Sequence, residues 1–149
     1  MAIYLDSSAL VKLVVAEPES DALRRFLKRN PERVTSSLAR VELLRAVRAQ
    51  GDLAIKHALR VLARVRMLRV DDGVLEAAAS LDPRVLRSLD AIHIASAREL
   101  GSDLESLVTY DRRMSEASTM LGMPVRAPGA AGDQARARAR RSRPRPVKP

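Results

Sequence analysis

Ile3-Tyr4-Leu5-Asp6-Ser7-Ser8-Ala9-Leu10-Val11-Lys12 passes from an apolar run, through an acid and two serines, into a helical pattern. Ile3-Tyr4-Leu5 reads as a short buried strand that Asp6 closes. Leu107-Val108-Thr109-Tyr110 repeats the arrangement, closed by Asp111. Two further acids stand in apolar surroundings. Glu42 interrupts Leu38-Ala39-Arg40-Val41 and Leu43-Leu44, and Asp90 opens Asp90-Ala91-Ile92-His93-Ile94-Ala95. Acids are almost never fully buried unless they are paired or bind a metal. If folding gathers these four, their repulsion requires a cation.

Outward from these runs, strand and helix alternate. A strand at residues 2–6 precedes a helix from about Ser8 to Ala16, and Pro18 restarts a helix whose Ala22, Leu23, Phe26 and Leu27 form one stripe. A short strand at Val34-Thr35-Ser36 leads, through a cap at Ser36 or Ser37, into a helix that runs to Gln50 and stops at Gly51. A helix over 53–67, a strand at 68–70, and a helix over 73–81 capped by Asp71 or Asp72 follow. Asp82-Pro83 breaks the chain, and Ser88 caps the helix that carries Asp90 to Gly101. The strand at 107–110, a helix over 111–121 ended by Gly122, and an edge strand at Pro124-Val125-Arg126 complete the pattern. Strands separated by helices predict an α/β fold, a parallel sheet covered on both faces. Ligands of such sheets bind outside the carboxyl ends of the strands, where Asp6 and Asp111 fall.

With 149 residues the chain makes one domain. Cysteine is absent, which excludes disulfides, thiolate zinc sites and cysteine nucleophiles. No basic region precedes the first acid, so no signal peptide is expected, and no apolar stretch reaches the ~20 residues of a bilayer span. A soluble, cytoplasmic protein with no membrane partner is expected. The net charge of +9 is uneven: residues 129–149 hold seven basic residues and one acid. The expected organisation is a folded domain over 1–127 and a disordered Arg/Ala/Pro-rich tail over 128–149, too poor in apolar bulk to offset its ordering entropy.

Two carboxylates ~4 Å apart repel by ~4 kcal/mol at an effective dielectric of 20. An oxygen-only set with no cysteine suits Mg²⁺, or Mn²⁺, rather than zinc or copper. Such an ion acidifies a bound water and neutralises a phosphoryl group, so metal-assisted phosphodiester hydrolysis is the natural reaction class. Each acid also has a plainer reading. Asp6 and Asp111 fit helix N-caps, Glu42 fits a surface partner for Arg40 or Arg45, and Asp90 suits the first turn of a helix.

Four stretches, in order, resemble one family. Tyr4-Leu5-Asp6-Ser7-Ser8-Ala9-Leu10-Val11-Lys12, Ser36-Ser37-Leu38-Ala39-Arg40-Val41-Glu42-Leu43, Leu89-Asp90-Ala91-Ile92-His93-Ile94-Ala95-Ser96-Ala97 and Val108-Thr109-Tyr110-Asp111-Arg112-Arg113-Met114 are similar to the motifs of PIN-domain ribonucleases of the VapC toxin group. Met114 departs from the commoner leucine, and the resemblance ends near residue 126. It implies a three-layer α/β/α sandwich around a five-stranded parallel sheet, and a Mg²⁺- or Mn²⁺-dependent endoribonuclease that acts as a toxin. It further implies a homodimer silenced by a cognate antitoxin protein. Carried over by position, Asp6 and Asp90 match the principal metal ligands, Asp111 a further acid of the metal site, and Glu42 the acid that orients water or a second ion. Ser8 and Thr109 match supporting hydroxyls.

The expected reaction is attack of a metal-bound water on an RNA phosphodiester, leaving a 5′-phosphate and a 3′-hydroxyl. His57 and His93 lie in different helices, so no histidine pair serves the route through the ribose 2′-hydroxyl. His93 is expected in the core or behind the ligands, and Arg87, Arg112 and Arg113 beside RNA phosphates or as ordinary surface charge. Two other readings stand. A small-ester phosphohydrolase of the haloacid type needs an acid two residues after the first, where Ser8 stands. The other is a catalytically inert RNA- or protein-binding module, against which the presence of all four acids argues.

Overall fold

The computed structural model describes residues 1–83 and 86–133. Strands β1 (Ala2–Leu5), β2 (Arg33–Ser36), β3 (Arg66–Leu68), β4 (Leu104–Val108) and β5 (Val125–Arg126) form one parallel sheet in the order β3-β2-β1-β4-β5. The intervening helices are α1 (Ser7–Val14), α2 (Ser20–Arg29), α3 (Leu38–Val47), α4 (Asp52–Leu62), α5 (Asp72–Ala79), α6 (Ser88–Arg98) and α7 (Arg112–Met120). All four residues of β1 are fully buried, which explains an apolar run without alternation. Ile3 and Leu5 pack against Leu10, Leu23, Leu43 and Val47 on one face, and Ala2 and Tyr4 against Ile94, Ala97 and Met114 on the other. The three-layer α/β/α sandwich with five parallel strands is therefore present.

From β1 the chain winds outward to β2 and β3, then crosses back to β4 and β5. The reversal falls between β1 and β4, and at such a point a parallel sheet opens a crevice at its carboxyl edge. The Asp6 N–H, which donates to the Val108 carbonyl at 3.2 Å, carries the strand pairing up to that edge.

Pairing, not local pattern, sets several boundaries. The helix expected to reach 67 ends at Leu62, because Val65 turns into the core and Arg66 aligns with Val34 of β2. The strand expected at 68–70 is thus β3, two residues earlier. β4 begins at Leu104 rather than Leu107, since Leu104 aligns with Ala2. Asp71 caps α5 through Val74 N at 3.0 Å, as expected, whereas Ser88 is the first residue of α6 and Arg87 holds the cap position without a side-chain capping bond.

Residues 128–133, assigned by composition to the tail, are held on the body. Asp133 is 6% exposed and accepts Arg126 Nε and Nη2 at 3.0 Å each and Ala127 N at 2.8 Å, while Tyr110 Oη donates to the Pro128 carbonyl at 2.8 Å. The single acid of a basic stretch has found a guanidinium just upstream. The rest of the expected tail, 134–149, lies outside the described residues. Among the described residues, no helix is long and apolar enough to cross a membrane.

Candidate active site

Asp6 caps α1 from extended backbone, its Oδ1 accepting Ala9 N at 2.9 Å and Ser8 Oγ at 2.7 Å. Its Oδ2 accepts Thr109 Oγ1 at 2.6 Å. Each hydroxyl also receives a backbone N–H from the β4 side: Tyr110 N donates to Ser8 Oγ at 2.8 Å, and Asp111 N to Thr109 Oγ1 at 3.1 Å. Ser8 and Thr109 thus stitch two strand ends together with Asp6 at the seam. Capping and the site use the same carboxylate. Asp6 is 3% exposed, and burial pushes its pKa up against the opposing hydrogen bonds of Ser8, Thr109 and Ala9.

Asp111 caps α7, its Oδ1 accepting Met114 N at 3.0 Å, which leaves Oδ2 free to face Arg87. Arg87 Nε donates to Asp90 Oδ2 at 2.8 Å, and Nη2 donates to Asp111 Oδ2 at 3.0 Å. One guanidinium therefore grips an acid from the first turn of α6 and an acid from the end of β4. Among the described residues, the two carboxylates share this cation and neither has one of its own.

Glu42 lies on α3 and turns toward α6. His93 Nε2 and Glu42 Oε2 are 2.6 Å apart, Ser7 Oγ donates to the same Oε2 at 2.5 Å, and Tyr4 Oη lies 2.9 Å from His93 Nδ1. The assignment that satisfies every group has Tyr4 donating to Nδ1 and Nε2–H donating to Glu42. For Glu42, partial burial raises the pKa, but the hydrogen bond from His93, with Ser7 and the Arg87 charge behind it, outweighs it and holds the carboxyl below its ordinary range. Its partner is the buried His93, not the Arg40 or Arg45 weighed from sequence. A cavity of about 230 Å³ lined by Glu42, Arg87, Ser88, Leu89 and Asp90 brings this group beside the others.

All four sequence-selected acids therefore gather at the carboxyl edge, in two linked groups. The sequence reading missed two partnerships. Arg87 was weighed for RNA phosphate and surface charge, not as the link between Asp90 and Asp111. The tie from His93 to Glu42 also went unseen, although the spacing of Asp90 and His93 on one helix face was a signal.

Among the described residues, no three acidic or imidazole side chains close to metal-binding distances. The donor set nevertheless fits Mg²⁺ or Mn²⁺, which take one or two carboxylates and complete their shell with water and phosphate. Asp90 Oδ2 and Asp111 Oδ2 already converge on one cation, and three donors leave one of the roughly four acceptor positions of Asp6 open.

A doubly covered parallel sheet whose switch point gathers carboxylates defines the class: an α/β/α protein with an acidic crevice at the carboxyl edge of its sheet. The sequence profile of the PIN domain matches residues 3–119, and the chain belongs to the PIN-domain family, among its VapC ribonucleases. It is 57% identical to Ribonuclease VapC46 of Mycobacterium tuberculosis over 127 residues, 85% of this chain and 98% of that protein. Its fold is similar to the crystal structure of VapC20, a sarcin–ricin loop cleaving toxin of the same organism, with TM-score 0.63 and 20% identity over 77% of this chain and 94% of that one. It is also similar to a chain of a toxin–antitoxin complex from Klebsiella pneumoniae, with TM-score 0.60 and 18% identity over 74% and 87% of the two chains. At these identities the solved structures bear on the fold.

Proposed function

We propose that this chain is a Mg²⁺- or Mn²⁺-dependent endoribonuclease, the toxin of a toxin–antitoxin pair, with Asp6, Asp90 and Asp111 holding the metal and Glu42 orienting water. The observation that carries the reading is the convergence of these acids on the switch point of a VapC-type PIN fold. A bound divalent ion supplies an acidified water and positive charge beside the scissile phosphate.

The chain's own residues do the rest. Ser8, Thr109 and Ala9 fix the Asp6 carboxylate against rotation. Arg87 holds Asp90 and Asp111 side by side, and its exposed guanidinium stands at the cavity mouth, where it can pair with an RNA phosphate. Glu42 stays ionised through neutral pH. It is therefore a weak base, suited to accepting a hydrogen bond from a water and aiming it rather than taking its proton outright. Ser8 receives Tyr110 N and donates to Asp6, so it does not play the part that the second acid has in a small-ester phosphohydrolase.

The partners proposed are an RNA substrate, an antitoxin protein that covers the acid edge, and a second copy of the chain in a homodimer, all in the cytoplasm. The test incubates the purified protein with structured RNA in Mn²⁺, in Mg²⁺ and in EDTA. Cleavage that requires the metal, leaves 5′-phosphate and 3′-hydroxyl ends, and disappears in Asp90→Asn is expected. Cutting in EDTA to cyclic phosphates would overturn the scheme.

A further inference from the structure

Away from the acids, a second hollow of about 360 Å³ lies between α1, α2 and α4. Leu13, Leu27 and Val61 contribute aliphatic walls, while Arg24, Lys28, Arg33, Arg60, Arg64 and His57 line the remainder, with no carboxylate among the lining residues. Arg24 has an acid partner, Asp21, at 3.2 Å. Arg33 donates through Nη2 to the Leu27 carbonyl at 3.2 Å, but its Nε is buried without an acceptor.

This concentration of charge works against folding. Arg24 and Lys28 are like charges four residues apart on α2, a spacing that weakens a helix, and Arg60 on α4 and Arg64 in the turn after it add further like charge. A buried guanidinium N–H with no acceptor adds a further cost. All of these costs face one hollow, and one anion entering it would relieve them together. Guanidinium groups, planar and forked, suit phosphate oxygens in particular.

The hollow is separate from the acid edge yet tied to it by a rigid element. α1 starts at Ser7, which touches Glu42, and Leu13 near its other end forms part of the hollow's wall. At 1.5 Å per residue the separation along the helix is on the order of 10 Å. A polyanion crossing the acid edge could therefore reach both.

We propose that this hollow is a second phosphate-binding site, which grips the backbone of the RNA substrate away from the bond that is cut. The inference rests on the ribonuclease reading. A chain with one negative charge per nucleotide suits a cluster of permanent cations better than does an acidic peptide of mixed sequence.

The test uses the full chain with Arg60→Gln and Arg64→Gln combined. Both side chains are exposed, so the fold should be kept, with the melting temperature unchanged or slightly raised as like-charge repulsion is removed. Binding of structured RNA is measured against salt in EDTA, where no cutting occurs, and turnover of bis-p-nitrophenyl phosphate is measured in Mn²⁺. Two lost phosphate contacts should flatten the log–log salt slope by about 1.4–1.8 and weaken RNA binding at low salt, with turnover of the small diester unchanged. The Arg60→Lys, Arg64→Lys pair should keep the slope. An unaltered slope in the glutamine variant overturns the proposal. So does loss of poly-glutamate binding with RNA binding intact, which would assign the hollow to an acidic protein segment. A wild-type chain that binds RNA through this hollow but never cuts it would instead overturn the ribonuclease reading and leave the hollow assigned.

Discussion

Asp6 carries the tension of the site in a single side chain. Burial raises its pKa even though three donors point at it. Between the unfolded-state pKa and the raised native value the native state holds more protons, so this group's contribution to stability falls as pH rises through that window. At neutral pH its charge is a cost to the fold. Asp6→Asn is expected to abolish RNA cleavage while raising the melting temperature at neutral pH, with the gain vanishing in acid, where the wild-type carboxyl is protonated. Thermal denaturation at the two pH values checks this, and a lower melting temperature at neutral pH would refute it. Glu42 has the opposite sign, because the His93 contact holds its pKa down. His93→Leu should move the acid limb of the kcat/KM–pH profile to higher pH. At neutral pH it should cost less than the ~10²–10⁴-fold expected from losing a catalytic carboxylate outright. A merely structural His93 would lower activity without moving that limb.

At the scale of elements, the C-terminal turn has a role that composition concealed. Gly129 has φ 88°, and a Cβ there would meet the Ala22 Cβ of α2 at 2.8 Å. Gly129→Ala therefore meets both a left-handed backbone and a close neighbour, and should destabilise by roughly 2–3 kcal/mol. The melting temperature should drop by several degrees, as urea or thermal unfolding would show. Elements whose boundaries depend on local chemistry were legible in the sequence: the stop at Gly51, the cap at Asp71, the strand ending at Asp6. Elements bounded by pairing were displaced. β3 and β4 each begin earlier than their apolar runs suggest, because their partners β2 and β1 fix the alignment across a long stretch of chain. The site divides in the same way. Its four acids stood out as charges in apolar runs, whereas Arg87 and His93 acquire their roles only when distant segments meet.

Across the whole molecule, charge divides more sharply than the sequence reading drew it. Residues 134–149 carry seven of the 27 basic residues and none of the 18 acids, so residues 1–133 hold 20 basic residues against 18 acidic. The body is close to neutral, and a local excess of basic residues lines the hollow between α1, α2 and α4. The folded unit must also be cut in the right place to separate the two contributions. A chain ending at 127 loses Asp133, the bidentate partner of Arg126, and the Pro128 carbonyl that Tyr110 binds. Breaking a largely buried pair by removing one member costs about 3–5 kcal/mol, so that truncation should melt well below the full chain. A chain ending at Asp133 keeps both contacts and should melt with the full chain. Its RNA affinity should nevertheless have a flatter salt dependence, by at most about 5 in log–log slope if all seven lost cations contact single-stranded phosphate. Turnover of a small diester should not change, because Asp6, Glu42, Asp90, Asp111 and the side chains that hold them all lie within residues 1–133. If the two truncations melted alike, residues 128–133 would have no structural role. If the slope stayed that of the full chain, RNA affinity would reside in the folded body alone.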